Sequence, residues 1–230
     1  MHAALLWGDP GSDLELRDTV VAARLFDAAG RAGVARTLYV SSVSVHRPFS
    51  GDRSEDDSLA PTDLYGAIKA AAELFLRSAC ATHGMTGVAI RPGPVVGPPA
   101  FAGAGHRTDQ RLAAMVAAAT FARPIEVLEG DARQWSDVTA MAEVIRLLIE
   151  IDDPLKAYLR VDREVLAWEW IAKRVVACLD SGSEVRVLPH EADVPTPRFR
   201  THRVEELLGK PMDARDALLA HIHHLARASQ

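Results

Sequence analysis

The chain has 230 residues, 48% of them hydrophobic and 25% charged, which is enough apolar content for a sizeable core in one domain or in a domain with a small appendage. A formal net charge of −5 with a pI near 6.0 offers no field that would gather phosphate backbones, which argues against nucleic acid as a partner. The longest apolar run, Leu112 to Ala122, is mostly alanine and too short to cross a bilayer, and the opening "MHAALLWGDP" lacks the basic start of a secretory signal.

After a Gly/Pro loop at Gly8 to Gly11, Ser12 with Glu15 three residues on forms a capping box, and a helix follows. Leu14, Val21, Leu25, Ala28 and Ala32 recur at helical spacing and mark its apolar face, with Gly33 as the stop. "TLYVSS" (Thr37 to Ser42) is a β-branched and aromatic strand. A polar loop leads to the helix "DLYGAIKAAAELFL", which runs on to His83-Gly84 and carries Cys80. "GVAIRP" (Gly87 to Pro92) is a second strand, and the long Pro/Gly connection from Pro92 to Gly105 is of a length that points to function. Helices over about Asp109 to Ala122 and Val138 to Ile151, a strand "AYLRV" (Ala157 to Val161), a helix "AWEWIAKRVVACLD" and a last helix Asp213 to Ala228 continue the alternation. Alternation of this kind implies an α/β fold with a parallel sheet and helices on both faces.

Within this pattern Tyr65 and Lys69 stand four residues apart, on one helix face. Ser41 and Ser42 end the preceding strand. Strand ends on one side of a parallel sheet form the ligand crevice, so Ser42 and Tyr65 are expected in one pocket. Ser44 reads as a turn hydroxyl. Trp135, Trp168 and Trp170 read as packing. His221, His223 and His224 have no accompanying carboxylate or cysteine pattern, so they read as solvated helix positions and no metal is expected. Cys80 and Cys178 read as small buried hydrophobes in a reducing, cytoplasmic setting.

The segments "LYVSSVSVH", "LYGAIKAAAELFL" with its Tyr-x-x-x-Lys, "IRPGPVVGPP" and "RDTVVAARLFDAAGRAGVART" together resemble the extended short-chain dehydrogenase/reductases, the NAD-dependent epimerase/dehydratase group. The resemblance implies a Rossmann-like doubly wound sheet over residues 1–160 and a small α/β substrate-side region over 161–230, interleaved with 93–135. It implies NAD or NADP as cofactor and a catalytic set of Ser42, Tyr65 and Lys69. His46 stands where the family usually has tyrosine. In that reading Lys69 and the nicotinamide charge lower the phenol's pKa from its ordinary ~10, Lys69 also holds the cofactor ribose, and Ser42 bonds the substrate oxygen. Ala3, Ala4 and Ser41, together with Pro92, Gly93 and Val95, fall where the family meets the cofactor. Asp18 occupies the position of a family asparagine. The family commonly dimerises through the Tyr/Lys helix and the helix before it, and the alanines at Ala70 to Ala72 and Ala79 to Ala81 would permit close approach, so a homodimer is expected.

The family's dehydratases carry Thr-Asp-Glu at the serine position, whereas this chain has Ser42-Val43-Ser44, which disfavours dehydration. Epimerase or alcohol/ketone reductase remains, acting on a hydroxyl or carbonyl carbon of a small molecule, with family precedent tipping towards a nucleotide-sugar. The sequence has no G-x-G-x-x-G turn in a strand–helix context. By the resemblance it begins at the family's fourth strand, lacking about two βαβ units, ~60 residues. A start codon placed too far downstream, or a fragment that has lost dinucleotide binding, would explain this. The alternative function is accordingly a non-catalytic paralogue that binds a ligand or partner. Without the glycine turn, dinucleotide affinity is expected no tighter than about millimolar.

Overall fold

A computed structural model describes residues 1, 13–49, 51–99, 109–152, 154, 156–190 and 198–228. In chain order the elements are α1 (Asp13–Arg31), β1 (Arg36–Val40), a 3-10 turn (Val43–His46), β2 (Asp52–Arg53), α2 (Leu64–His83), β3 (Thr86–Pro92), β4 (Val95–Val96), α3 (Gln110–Thr120), β5 (Ile125–Leu128), β6 (Ala132–Gln134), β7 (Ser136–Asp137), α4 (Val138–Glu150), β8 (Ala157–Arg160), β9 (Val165–Ala167), α5 (Trp168–Cys178), β10 (Val185–Leu188), β11 (Arg198–Phe199), α6 (His202–Leu208) and α7 (Arg215–Ala228). The α/β alternation expected from the sequence is present. The chain divides into two compact units, one of Met1–Gly93, Ala142–Arg160 and Phe199–Lys210, the other of Pro94–Met141, Val161–Arg198 and Pro211–Gln230.

The first unit is built on a parallel sheet in the order β1-β3-β8, with Leu38 opposite Val88 and Ile90 opposite Tyr158. Among the described residues β1 pairs with β3 alone. Its side chains are buried all the same: Tyr39 packs edge-on to Phe26 of α1, centroids 5.6 Å apart, in a cluster with Ala22, Ala72, Leu76 and Ala79. Arg36 at the start of β1 donates to the carbonyls of Leu148, Ile149 and Asp152 at 3.2, 2.7 and 3.1 Å, satisfying the C-terminal end of α4 and placing a cation at its negative pole. Gly33 and Gly84 end α1 and α2 with φ of 72° and 68°, a conformation open to glycine at little cost.

Two sequence expectations are corrected here, the apolar face of α1 and the burial of the cysteines. On α1 the apolar face read from Val21, Leu25 and Ala28 is the exposed one, and Asp18, Ala22 and Phe26 face inward. The helix carries two apolar stripes, and Ala22 and Phe26 win because they fit against α2 and Tyr39. Ser12 lies outside the described residues. On α2, Ala72 and Ala79 pack with Ala22 and Phe26 of α1. Cys80 and Cys178 are unbonded and only half-buried.

The second unit pairs β5 with β10 and β4 with β7 in parallel, and β6 with β9 antiparallel. Helices α3, α5 and α7 enclose an apolar core centred on Trp135 and Trp168, whose rings meet edge-on at 5.5 Å, with Leu112, Ile171, Leu218 and Ile222 fully buried around them. The tryptophans therefore pack, as their sequence context suggests. His221 does not behave as a solvated helix position, because its side of α7 is buried. It stacks with His224 at 6.1 Å, and no group of three or more metal-ligating side chains occurs among the described residues. No helix there is long and apolar enough to cross a membrane.

Candidate active site

The carboxyl end of β1 sets the site. Val40 is its last residue, and the Ser41 amide prolongs the ladder by donating to the Ile90 carbonyl at 2.7 Å. Ser42, extended at φ −160°, then caps the 3-10 turn by accepting from the Ser44 amide at 3.1 Å. This turn packs against the first turn of α2. Gly66 makes the contact possible, since a Cβ there would lie 2.4 Å from the Ser44 carbonyl oxygen and 2.8 Å from the Pro61 side chain. Asp63 caps α2 by accepting from the Gly66 amide at 2.8 Å and pairs with Arg47 at 3.3 Å.

The result brings Ser42, Tyr65 and Lys69 together. The Ser42 hydroxyl is near enough to the Tyr65 phenol to pull its pKa downward. Lys69, one helical turn on and buried, donates to the Val40 carbonyl at 3.2 Å, with its Nζ 5.0 Å from the Tyr39 ring centroid and 5.9 Å from that of Tyr65. Burial pushes the Tyr65 phenol above its ordinary value of 10.0; Asp18 and Asp63 add to this, while the Ser42 hydroxyl and Arg47 oppose it. Burial pulls the Lys69 ammonium below its ordinary value, and the charge of Asp18 pushes back. An ammonium has three donors, and the Val40 carbonyl takes one.

The remaining sequence candidates are dispersed. Ala3 and Ala4 lie outside the described residues. Ser41 is committed inside the protein, its hydroxyl donating to Glu73 at 2.6 Å. Pro92 ends β3 and Gly93 follows it in the first unit, whereas Val95 opens β4 in the second. Asp18 is buried on the inner face of α1, where its charge reaches Tyr39, Tyr65 and Lys69.

Directly behind the serines runs a buried charged network that sequence reading missed. Arg91 of β3 makes a bidentate pair with Glu73 of α2 at 3.0 and 2.8 Å, and its Nη1 meets His46 Nε2 and the Glu55 carbonyl, each at 3.0 Å. Glu55 in turn accepts from the Leu159 amide at 3.1 Å. Burial, with Arg91 second, pushes the His46 pKa down to about 4, so the ring is neutral and Nε2 accepts from Arg91. The available signal was the spacing of Tyr65, Lys69 and Glu73, each four residues apart on one face of α2, together with an arginine inside the apolar strand "VAIRP". A cavity of about 520 Å³ opens beside the 3-10 turn, walled by His46, Arg47, Arg53 and Asp56 among others; Ser42, Tyr65 and Lys69 do not line it.

Comparison with solved structures shows what this arrangement resembles. The fold superposes on UDP-glucuronic acid 4-epimerase from Bacillus cereus in complex with NAD at a TM-score of 0.80, with 16% identity over 97% of this chain and 72% of that one. MoeE5 in complex with UDP-glucuronic acid and NAD matches at 0.77, with 24% identity over 99% of this chain and 78% of that one. The Bordetella bronchiseptica enzyme WbmG in complex with NAD matches at 0.79, with 20% identity over 99% of this chain and 71% of that one. No curated protein matches in sequence. The likenesses establish a Rossmann-like fold, and a family model spans residues 7–158, well over half of the sequence: the chain belongs to the NAD dependent epimerase/dehydratase family.

Proposed function

We propose that the protein is an NAD-dependent epimerase of a nucleotide-sugar, inverting a secondary alcohol carbon through Ser42, Tyr65 and Lys69. The observation that carries this reading is the placement of Ser42 just past the carboxyl end of a parallel strand, on the turn packed against the start of α2 that bears Tyr65, with the Lys69 ammonium one helical turn further along. Family membership makes NAD the cofactor. The residues present fit its nicotinamide-ribose half: Lys69, with one of its three donors on the Val40 carbonyl, would hold the ribose, and the backbone of Pro92 and Gly93 would border the ring. When bound, NAD takes up hydride from the substrate carbon and returns it. Ser42 orients the substrate hydroxyl, Tyr65 takes its proton as hydride leaves and gives it back when hydride returns to the opposite face, and Lys69 steadies the phenolate in between. Burial, with the charges of Asp18 and Asp63, holds the phenol protonated, so its ionisation would depend on the positive nicotinamide as well as on Lys69.

Nucleotide-sugar is favoured over a simple alcohol because the solved neighbours hold UDP-glucuronic acid or UDP beside NAD. The first unit carries the cofactor and proton-transfer groups; the region over 161–230, with 93–135, serves the substrate side. Exposed apolar side chains on adjoining helices, Leu16, Val20, Val21 and Leu25 of α1 with Leu74 and Phe75 of α2, support a homodimer through this face. The unbonded cysteines suit a cytoplasmic enzyme.

The test is to incubate the protein with NAD in millimolar excess and UDP-glucuronic acid, UDP-glucose or UDP-galactose, and to follow the C4 proton by NMR. Interconversion of one epimeric pair is expected, and it is lost in Tyr65→Phe. If no sugar is inverted and no NADH appears, the reading is wrong. Light scattering that returns a monomer at micromolar concentration removes the dimer.

A further inference from the structure

The turn that follows Ser42 is a weak element by itself. Its bonds run from the Ser44 amide to the Ser42 hydroxyl at 3.1 Å, from the Val45 amide to the Ser42 carbonyl at 3.3 Å and from the Arg47 amide to the Ser44 carbonyl at 3.2 Å, all at the long end of the range. A single 3-10 turn closed this loosely does not fix its own geometry. Its two ends, however, converge on one guanidinium. At the start, Ser41 donates its hydroxyl proton to Glu73 Oε1 at 2.6 Å, and the same oxygen accepts from Arg91 Nε at 3.0 Å. At the finish, His46 Nε2 accepts from Arg91 Nη1 at 3.0 Å. Arg91 is itself pinned, by Nη2 on the second Glu73 oxygen at 2.8 Å and by Nη1 on the Glu55 carbonyl at 3.0 Å. Ser41, His46, Glu73 and Arg91 are each at most 5% exposed, so water does not compete for these bonds.

We propose that Arg91 is a positioning residue, a clamp that grips the segment Ser41–His46 at both ends and so fixes the direction of the Ser42 hydroxyl. The proposal rests on the reading of Ser42 as the group that orients the substrate hydroxyl. It explains why arginine stands inside an apolar strand. A planar fork can meet a carboxylate along one edge and an imidazole from its other nitrogen, whereas a lysine ammonium could pair with Glu73 but not span to His46 as well. It also assigns His46 a definite part. Arginine has no acceptor, so Nε2 must be unprotonated, and the ring serves through its lone pair rather than through charge. Any side chain that places an acceptor there should do the same work.

Amide hydrogen exchange followed by NMR tests this without turnover. In His46→Leu and in Arg91→Lys the amides of Ser44, Val45 and Arg47 should exchange about tenfold faster or more, while that of Leu76, inside α2, keeps its wild-type rate. His46→Gln, whose side-chain oxygen can accept from Arg91, should restore the protection. If Arg91→Lys does not fold, the two His46 variants decide. Kinetics then separate placement from mere stability: in His46→Leu kcat should fall by about 10- to 100-fold with KM for NAD unchanged, and His46→Gln should recover it. Unaltered exchange of the turn in His46→Leu, an acceleration shared by Leu76, a Gln variant that behaves like the Leu variant, or lost protection with full turnover each overturns the proposal. A protein that inverts no sugar but shows the local acceleration and its rescue loses its proposed function and keeps this clamp.

Discussion

The centre of the second unit is a pair of tryptophans wrapped in leucine and isoleucine, while the corresponding depth of the first unit holds Glu73, Arg91, His46, Glu55, Lys69 and Asp18. Apolar burial is non-directional and tolerant: Trp168 would pack nearly as well a few degrees away. A buried bidentate pair tolerates little. Each group of the Glu73–Arg91–His46 network fixes the position of the next, and the network ends on the Ser41 hydroxyl, next to Ser42. One unit is organised for stability and the other, at some cost in desolvation, for the placement of a few atoms.

Four measurements sharpen or break that contrast. The largest effect is expected from Tyr65→Phe, which removes one hydroxyl: epimerase turnover should fall ~10²–10⁴-fold with the denaturation midpoint little changed. A variant that retains full turnover would remove Tyr65 from the chemistry. Next, Glu73→Ala leaves Arg91 buried and unpaired and should cost about 3–5 kcal/mol in urea unfolding, as should Trp168→Ala in the other unit through cavity formation. The two differ in rescue. Replacing Glu73 and Arg91 together by methionine should recover most of the stability but not the activity. Should the double variant stay fully active, the network has no part in placing the serines.

The pH dependence comes third. His46 is neutral when folded, with a pKa near 4 against 6.5 when unfolded, so between those values the unfolded chain binds more protons and stability falls as pH falls. The full effect is about 3 kcal/mol. Between pH 6.5 and about pH 5 the wild type should lose about 2 kcal/mol more than His46→Gln, and parallel curves would mean that the ring takes its proton without penalty. Smallest is Gly66→Ala, expected to cost about 1–3 kcal/mol and to lower turnover, since the added methyl displaces the Ser44 carbonyl and with it Ser42. Unchanged turnover would show that the 3-10 turn can shift without consequence.

What the sequence reveals follows the range over which each interaction acts. Helices α2, α4 and α7 were legible to within a few residues because their periodicity is local, and Tyr65 and Lys69 because one helical turn joins them. The strands β4, β6, β7 and β11 run two or three residues, too short for alternation to register. The inner face of α1 was misread because choosing between its two apolar stripes needs Tyr39 and α2 in place. The Glu73–Arg91–His46 network was invisible for the same reason at greater range, since its members lie 18 and 45 residues apart in sequence.

The first unit is assembled from three separated stretches, and its last is the segment Phe199–Lys210. Arg203 in that segment pairs with Asp56 and reaches Glu55 at 3.9 Å and the Ala157 carbonyl at 3.4 Å. During synthesis at about 5–20 residues per second, β1 and β3 leave the ribosome several seconds before β8 and longer still before Arg203. Over that interval Glu55 and Leu159 have no final geometry, and the parallel pairing of β3 with β8 must close a long loop. The buried charges thus tie the candidate site to a late segment of the chain: its order arrives when α6 docks, long after the serine, tyrosine and lysine themselves have been made.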